Sequence, residues 1–522
     1  MDRPMYLADF AALTPDKPAV IDGSTGQCLS YRELDARSNR LARLLYAQGL
    51  RRGDRIAMLL ENHLRCFEVA WAAFRSGLLL TAINRFLTAG EVAYIVNDSG
   101  ARVLVSSQAM AEVATQLPGS IPGCERLLMV DGVAPGWESY EQAIAGERAE
   151  RLDQEWVGGT LLYSSGTTGQ PKGIVRAITR QRFAESTLDP RLAMMEHYGF
   201  GADAVYLSTA PLYHAAPLSY STNVQFYGGT VVFMSKFDAL ESLALIERYQ
   251  VTHSQWVPTM FIRLLKLPQA QREAFDLSSH RVAIHAAAPC PAEVKRQMIA
   301  WWGPIVQEYY GGSEGNGLTV IDSVQALARP GSVGRAKLGV LRICDDDGKL
   351  LAPGQDGLIY FERDSLPFHY HNDPQKTRAS QHPQHPNWTA IGDVGHLDDQ
   401  GYLYLTDRRH FMIISGGVNI YPQAIEDALA LHPAVQDAAV IGVPDAEMGE
   451  AVKAVVEPAP GVDATPALAD ELIGFLRDKV ARYMLPRSVD FIDTMPRLPT
   501  GKLYKRVLRE RYAQAVPPQE LP

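Results

Sequence analysis

The sequence predicts an α/β protein with a large N-terminal domain of parallel βαβ sheets, a small antiparallel region finishing that domain, and a smaller α+β domain at the C-terminus. Three observations carry this. Short apolar runs alternate with helical patterns from Ser30 to Trp302, the texture changes near Gly331 to short strands between acidic turns, and a mixed pattern resumes after Asp407-Arg408. The expected division is therefore 1–408 and 409–522.

Each element follows from local chemistry. Ser30-Tyr31-Arg32-Glu33 has the form of a capping box, and Leu34, Leu41, Leu44 and Leu45 keep to one helical face until Gly49 closes the helix. A strand at 56–60, a helix to 76, a strand at 78–83, a helix at 88–98 and a strand at 102–106 come next. The same alternation returns with strands at 205–208, 230–234, 252–256 and 282–285, separated by helices such as 238–249 and 291–302. Turns such as Asp345-Asp346-Asp347-Gly348, Pro353-Gly354-Gln355-Asp356-Gly357 and Asp398-Asp399-Gln400-Gly401 then mark antiparallel strands. The last part, within the usual size of a domain, has strands near 412–414 and 438–441 and helices at 423–431 and 467–483.

Length and composition bound the function. The 522 residues suffice for about three units of roughly 150 residues and for a large core. A net charge of -9 argues against a general nucleic-acid or anionic-membrane surface, so a polyanionic ligand must be met by a local basic pocket. Cys28, Cys66, Cys124, Cys290 and Cys344 are scattered without a CxxC pair, which fits a reduced, cytoplasmic setting without disulfides or a zinc site. The N-terminus lacks a signal-type apolar region, and the longest oily stretch, 67–83, is interrupted by Arg75, Ser76 and Gly77, so no transmembrane segment is expected.

The chemistry concentrates first in Tyr163-Ser164-Ser165-Gly166-Thr167-Thr168-Gly169-Gln170-Pro171-Lys172-Gly173, where hydroxyls and glycines surround one cation. Apolar flanks on both sides suggest strand, loop, then helix, the usual setting of an anion cradle. A P-loop needs Gly-Lys-Ser/Thr four residues after its first glycine, whereas Pro171-Lys172-Gly173 follows Gly166 here. Four further motifs follow: Tyr310-Gly311-Gly312-Ser313-Glu314 after a strand at 305–309, Ile391-Gly392-Asp393, Tyr404-Leu405-Thr406-Asp407-Arg408, and Pro499-Thr500-Gly501-Lys502. In this order and spacing the five motifs resemble the adenylate-forming superfamily of acyl-CoA synthetases, firefly-type luciferases and peptide-synthetase adenylation domains, over essentially the whole chain.

The resemblance implies ATP, Mg2+ and coenzyme A as co-substrates and cofactors, and a role for each motif. Lys172, with Ser164, Ser165, Gly166, Thr167, Thr168 and Gly169, suits the β- and γ-phosphates; Glu314 suits Mg2+, because a hard cation takes one or two carboxylates alongside phosphate. Ser313 stands where the family has threonine and keeps the hydroxyl for the α-phosphate. Tyr310 packs on adenine with Ala287, Ala288 and Pro289 as the opposite wall, Asp393 accepts from the ribose hydroxyls as in dinucleotide sites, and Arg408 is a second anchor. Lys502 serves adenylation and then leaves, because the small domain of the family is mobile and rotates about a hinge that falls here on His410. Phe411 replaces an acid at that hinge. Ser415, Gly416 and Gly417 resemble the backbone lining of a pantetheine channel.

For the acid, the resemblance points to Pro211-Leu212-Tyr213-His214, Trp256, 286–288 and Gly311-Gly312, with His214 at the carboxylate end. The small residues Ala215, Ala216, Gly311 and Gly312 suggest room for a medium- or long-chain fatty acid or another bulky acid, with an aryl or steroid-side-chain acid as the alternative. An adenylate ligase that hands acyl to a carrier protein, a luciferase-like oxygenase and a non-catalytic sensor are the competing readings. The partners expected are the carboxylic acid, ATP and CoA, not nucleic acid; a homodimer is left open.

Overall fold

The computed structural model describes residues 6–164, 171–176, 182, 193–408, 411–416, 418–445, 448–497 and 503–513. Period-two and period-3.6 apolar patterns sort these residues into three sheets and the helices that cover them. The helix Tyr31–Ala47 begins as its capping box requires: Ser30 Oγ accepts from the Glu33 N–H at 3.2 Å, and Glu33 Oε2 accepts from the Ser30 N–H at 2.8 Å.

In the largest sheet, thirteen strands among the described residues, Val205–Ser208, His253–Trp256, Val282–His285 and Val306–Tyr310 lie side by side and parallel. The first three are buried on both faces, as parallel strands between helices must be, whereas Gln307, Tyr309 and Tyr310 of the fourth are only partly buried. At Val306–Tyr310 the sheet changes character, because Leu318–Ile321 pairs with it antiparallel, and antiparallel pairing continues through Ser332–Leu338, Leu403–Arg408 and Trp388–Leu397. The acidic turns close these strands; Gly348 and Gly401 have φ of +82° and +79°, which only glycine adopts without strain.

The second sheet, of eight strands among the described residues, holds the parallel strands Arg55–Leu59, Leu79–Ala82 and Val103–Ser107. Here the structure corrects the sequence reading. Gly159–Ser164 is followed not by a helix but by the strand Lys172–Arg176, paired antiparallel with Ser164 opposite Lys172. Ile174 and Val175 favour the extended backbone by their β-branching, and Phe368–Tyr370 then pairs with the new strand, burying Ile174 against Phe368 and Tyr370. The two strands that flank the glycine- and hydroxyl-rich motif are therefore antiparallel neighbours.

The third sheet is built from residues beyond 412, with Val435–Asp445 and Gly449–Pro458 as its long antiparallel pair and Ser488–Phe491 parallel to the latter. It has a separate core in which Ile425, Leu429, Val440, Val452, Val456, Leu472 and Leu476 meet. Among the described residues no helix is long and apolar enough to cross a membrane, and all five cysteines are free.

Candidate active site

Strand pairing, not sequence proximity, assembles the first half of the site. Because Tyr370 lies opposite Ile174, the chain after Tyr370 runs back along the start of the Lys172 strand, and His371 N donates to Gly173 O at 2.7 Å. This brings Asp373 to Lys172, whose ammonium donates to Asp373 Oδ2 at 2.8 Å. The hydrogen bond raises the Lys172 pKa and lowers that of Asp373. Tyr370 Oη, in turn, donates to Glu314 Oε1 at 2.8 Å. Lys172 and Glu314, far apart in sequence, are thereby linked through one short segment.

The loop carrying Glu314 is clamped. Arg176 Nε and Nη2 donate to the Ser313 carbonyl at 3.0 and 2.5 Å, and Arg363 Nη1 reaches the Gly315 and Asn316 carbonyls at 3.4 Å. Gly311 and Gly312 are tight rather than roomy, contrary to the expectation of space for a substrate. A Cβ on Gly311 would sit 2.9 Å from Gly317 O, and one on Gly312 would sit 2.6 Å from Ile391 Cδ1 and 2.9 Å from Glu314 Oε2. These glycines let the loop fold back on itself.

The second half is a cavity of about 240 Å³ lined by, among others, Ala287, Ala288, Pro289, Tyr310 and Asp393. Ala287 has φ +77°, an uncommon backbone for a residue with a Cβ and a local strain of the kind found at ligand sites. Tyr310 Oη donates to the largely buried Asp393 carboxylate at 2.7 Å. Lys295 and Glu308 form a buried ion pair, with Glu308 lining the cavity. The C-terminal part also contributes Phe411, Leu503 and Lys505 to the lining, the last paired with Glu426 at 2.8 Å.

The remaining expected residues fall differently. His214 precedes the helix Ala215–Phe226 with Nε2 buried and unpartnered, and burial lowers its pKa to about 3. Trp256 is a core residue rather than a pocket wall: its ring packs on Phe237, Phe261 and Trp302, and its Nε1 donates to Ser254 Oγ at 2.6 Å. Ser415 lies opposite Gly449, and Gly416, with φ +57°, donates its N–H to Met448 O at 2.8 Å. Neither lines the cavity. Of Ser164 and Arg408 only the backbone is described, with Arg408 opposite Asp393 in the strand pair. Ser165, Gly166, Thr167, Thr168, Gly169, His410, Gly417 and Lys502 lie outside the described residues.

Tyr370, Asp373, Arg176 and Lys376 were not anticipated. Asp373-Pro374 was readable as a helix start, and Asp373 does accept from Lys376 N at 2.9 Å ahead of the helix Pro374–Ala379. Its ion pair depends on a strand pairing that local pattern does not show.

Comparison with known proteins agrees with this geometry. Residues 7–370 match the model of the AMP-binding enzyme family and residues 424–502 that of the AMP-binding enzyme C-terminal domain. The chain is 32% identical over 521 residues to the long-chain-fatty-acid–CoA ligase FadD13 of Mycobacterium tuberculosis, covering 98% of each. It is 33% identical over 504 residues to a feruloyl-CoA synthase of Amycolatopsis, covering 96% of this chain and 97% of the relative. Among solved structures, ATP-bound MatB from Rhodopseudomonas palustris superposes with a TM-score of 0.80 at 30% identity, covering 98% of this chain and 99% of MatB. The o-succinylbenzoate CoA synthetase MenE of Bacillus subtilis, in complex with an acyl-adenylate, gives 0.78 at 27%, covering 99% of each chain. The chain belongs to the AMP-binding enzyme family, within the adenylate-forming superfamily that contains the acyl-CoA synthetases, and is an AMP-forming acid–thiol ligase.

Proposed function

We propose that the protein activates a hydrophobic carboxylic acid, a medium- or long-chain fatty acid or a comparably bulky one, to its acyl-adenylate and transfers the acyl group to coenzyme A. The observation that carries this reading is the meeting of Lys172 and Glu314 across Tyr370 and Asp373, beside a cavity walled by Ala288, Tyr310 and Asp393. A carboxylate attacking the α-phosphate must approach an anion, so charge has to be neutralised and the leaving pyrophosphate held in line.

In this scheme adenine lies between Tyr310 and the Ala287–Pro289 segment, and Asp393 with Arg408 holds the ribose. Lys172 and the hydroxyls and backbone of residues 164–169 take the β- and γ-phosphates, and the Ser313 hydroxyl meets the α-phosphate. The donor set fits Mg2+, since Glu314 offers a carboxylate already aligned by the Tyr370 hydroxyl. Held there by Glu314, Mg2+ would supply positive charge that offsets the charge of the phosphates. An acid oxygen attacks the α-phosphorus, the bond to the β-phosphate oxygen breaks, and pyrophosphate departs. Lys502 steadies the charge at that junction. The domain after residue 408 then turns about His410, bringing Ser415, Gly416 and Gly417 to the pantetheine arm. The CoA thiolate attacks the acyl carbonyl and AMP leaves.

Relatives named as long-chain-fatty-acid–CoA ligases, from Mycobacterium tuberculosis and Bacillus subtilis, support the fatty reading. An aryl acid is the second reading, favoured by a buried tyrosine cluster on the face of the sheet opposite Tyr310. There the Tyr220 ring stacks 6.0 Å from Tyr309 and 6.3 Å from Tyr206, Gln255 bonds both Tyr309 and Tyr206 hydroxyls, and the Tyr198 ring lies 6.5 Å from Tyr220. The relative named as a feruloyl-CoA synthase also supports this second reading. A pyrophosphate-release screen over short, medium, long, aryl and steroidal acids separates the two, with Lys502→Ala as control. Preference for acetate would contradict both.

A further inference from the structure

The pyrophosphate side of the site contains a cation that the scheme above leaves idle. The Lys376 ammonium stands 4.3 Å over the centre of the Tyr370 ring, and the lysine is partly buried. Among the described residues it forms no ion pair. Burial lowers its pKa, while Glu314 and Asp373 act to raise it and Lys172 to lower it, so it lies within electrostatic reach of all three. An ammonium that has lost part of its hydration without gaining a carboxylate partner is suited to take an incoming anion.

The segment that carries it is firmly knit. Tyr370 N donates to Thr377 Oγ1 at 2.9 Å, Thr377 Oγ1 donates to Asp373 O at 3.0 Å, and Tyr370 itself is paired into the sheet opposite Ile174. One tyrosine thus does two things: its face supports the Lys376 ammonium and its hydroxyl fixes the Glu314 carboxylate. The charges also balance, Lys172 and Lys376 against Asp373 and Glu314. With Asp373 occupying Lys172 as a phosphate would, the arriving triphosphate replaces that carboxylate and calls on the second lysine.

We propose that Lys376 is a second pyrophosphate-binding cation, contacting the β- and γ-phosphates alongside Lys172, and that Tyr370 is the positioning residue that sets both Lys376 and Glu314. This rests on the ATP-dependent reading above.

Calorimetric binding of inorganic pyrophosphate, in the presence of magnesium, to full-length protein tests it without turnover. Lys376→Gln should weaken pyrophosphate binding about tenfold or more, as loss of a charged hydrogen bond does. Lys376→Arg should restore it, and AMP, which lacks the β- and γ-phosphates, should bind all three proteins alike. Tyr370→Phe keeps the ring under Lys376 but loses the hydroxyl, so it should raise the magnesium concentration needed for half-maximal pyrophosphate binding several-fold, roughly as a charged hydrogen bond predicts. Should Lys376→Gln fail to fold, Lys376→Met, which keeps the stem over the ring, takes its place. Unchanged pyrophosphate binding in the Gln or Met variant, or an equal loss of AMP binding, would overturn the role of Lys376; an unchanged magnesium requirement would overturn that of Tyr370. Wild-type protein that bound neither ATP nor pyrophosphate would instead remove the underlying reading.

Discussion

Tyr310 Oη donates to Asp393 Oδ2 at 2.7 Å, tying the end of the strand Val306–Tyr310 to the strand Trp388–Leu397 at the wall of the cavity. The phenol therefore fixes the carboxylate proposed to hold the ribose, and its ring stacks on Phe361 with centroids 6.3 Å apart. Tyr310→Phe keeps the ring and removes the pin, and should raise the KM for ATP by roughly 3- to 10-fold, the worth of one hydrogen bond. Asp393→Ala, which removes the acceptor altogether, should cost on the order of 100-fold. ATP–pyrophosphate exchange at varied ATP measures both; equal effects of the two variants would contradict the division of labour.

Both partners of the Lys295–Glu308 ion pair are buried, and Glu308 lines the cavity. Desolvation raises the Glu308 pKa and Lys295 opposes it, so removing the lysine strands a carboxyl in an apolar layer. Lys295→Met should destabilise the protein by about 3–5 kcal/mol. Urea unfolding checks the figure, and a loss under about 1 kcal/mol would show that Glu308 finds other partners.

Acid should weaken the fold through histidines that are buried neutral. Desolvation lowers the pKa to about 3 for His214 and His280 and to about 4 for His253, and moves His285 in the same direction. Below the unfolded value near 6.5 the unfolded chain binds protons that the folded chain does not, so this stability is complete above about pH 6.5 and is lost as pH falls toward the folded values. Each histidine contributes a slope on the order of 1.4 kcal/mol per pH unit. His253 Nε2 lies 3.0 Å from Tyr198 O, and His253→Gln keeps a donor there. About 2 kcal/mol of the stability lost between pH 7 and 5 should therefore vanish in that variant.

The same burial bears on His214 as a proposed catalytic residue. With its pKa near 3 it stays neutral through the working range. His214→Asn should change the level of the adenylation rate without moving the pH profile, and a limb near pH 6.5 that disappears in this variant would contradict a neutral role.

How much of this was legible depended on the range of the interaction. The capping box at Ser30 and the strands at 205–208 and 282–285 were read correctly because they rest on neighbours in sequence. The strand after Lys172 was misread because Ile174, Val175 and Ile178 fit a helical stripe as well as an extended one, and only pairing with Phe368–Tyr370 decides between them. Gly311 and Gly312 were misread as space, whereas close backbone and side-chain approach demands them. Ala288, Tyr310 and Asp393 were named from motifs and do share one cavity. Tyr370 and Asp373 were missed because their partners lie 56 and 201 residues away.

In the proposed two-step reaction Lys502 acts in the first step alone. The most direct test measures the half-reactions separately in Lys502→Ala: acid-dependent ATP–pyrophosphate exchange, and CoA thioester formation from a supplied acyl-adenylate. Exchange should fall by orders of magnitude, as expected when charge stabilisation at the reacting phosphate is lost, with thioester formation near the wild-type rate. Equal impairment of both steps, or unimpaired exchange, would contradict that role of Lys502.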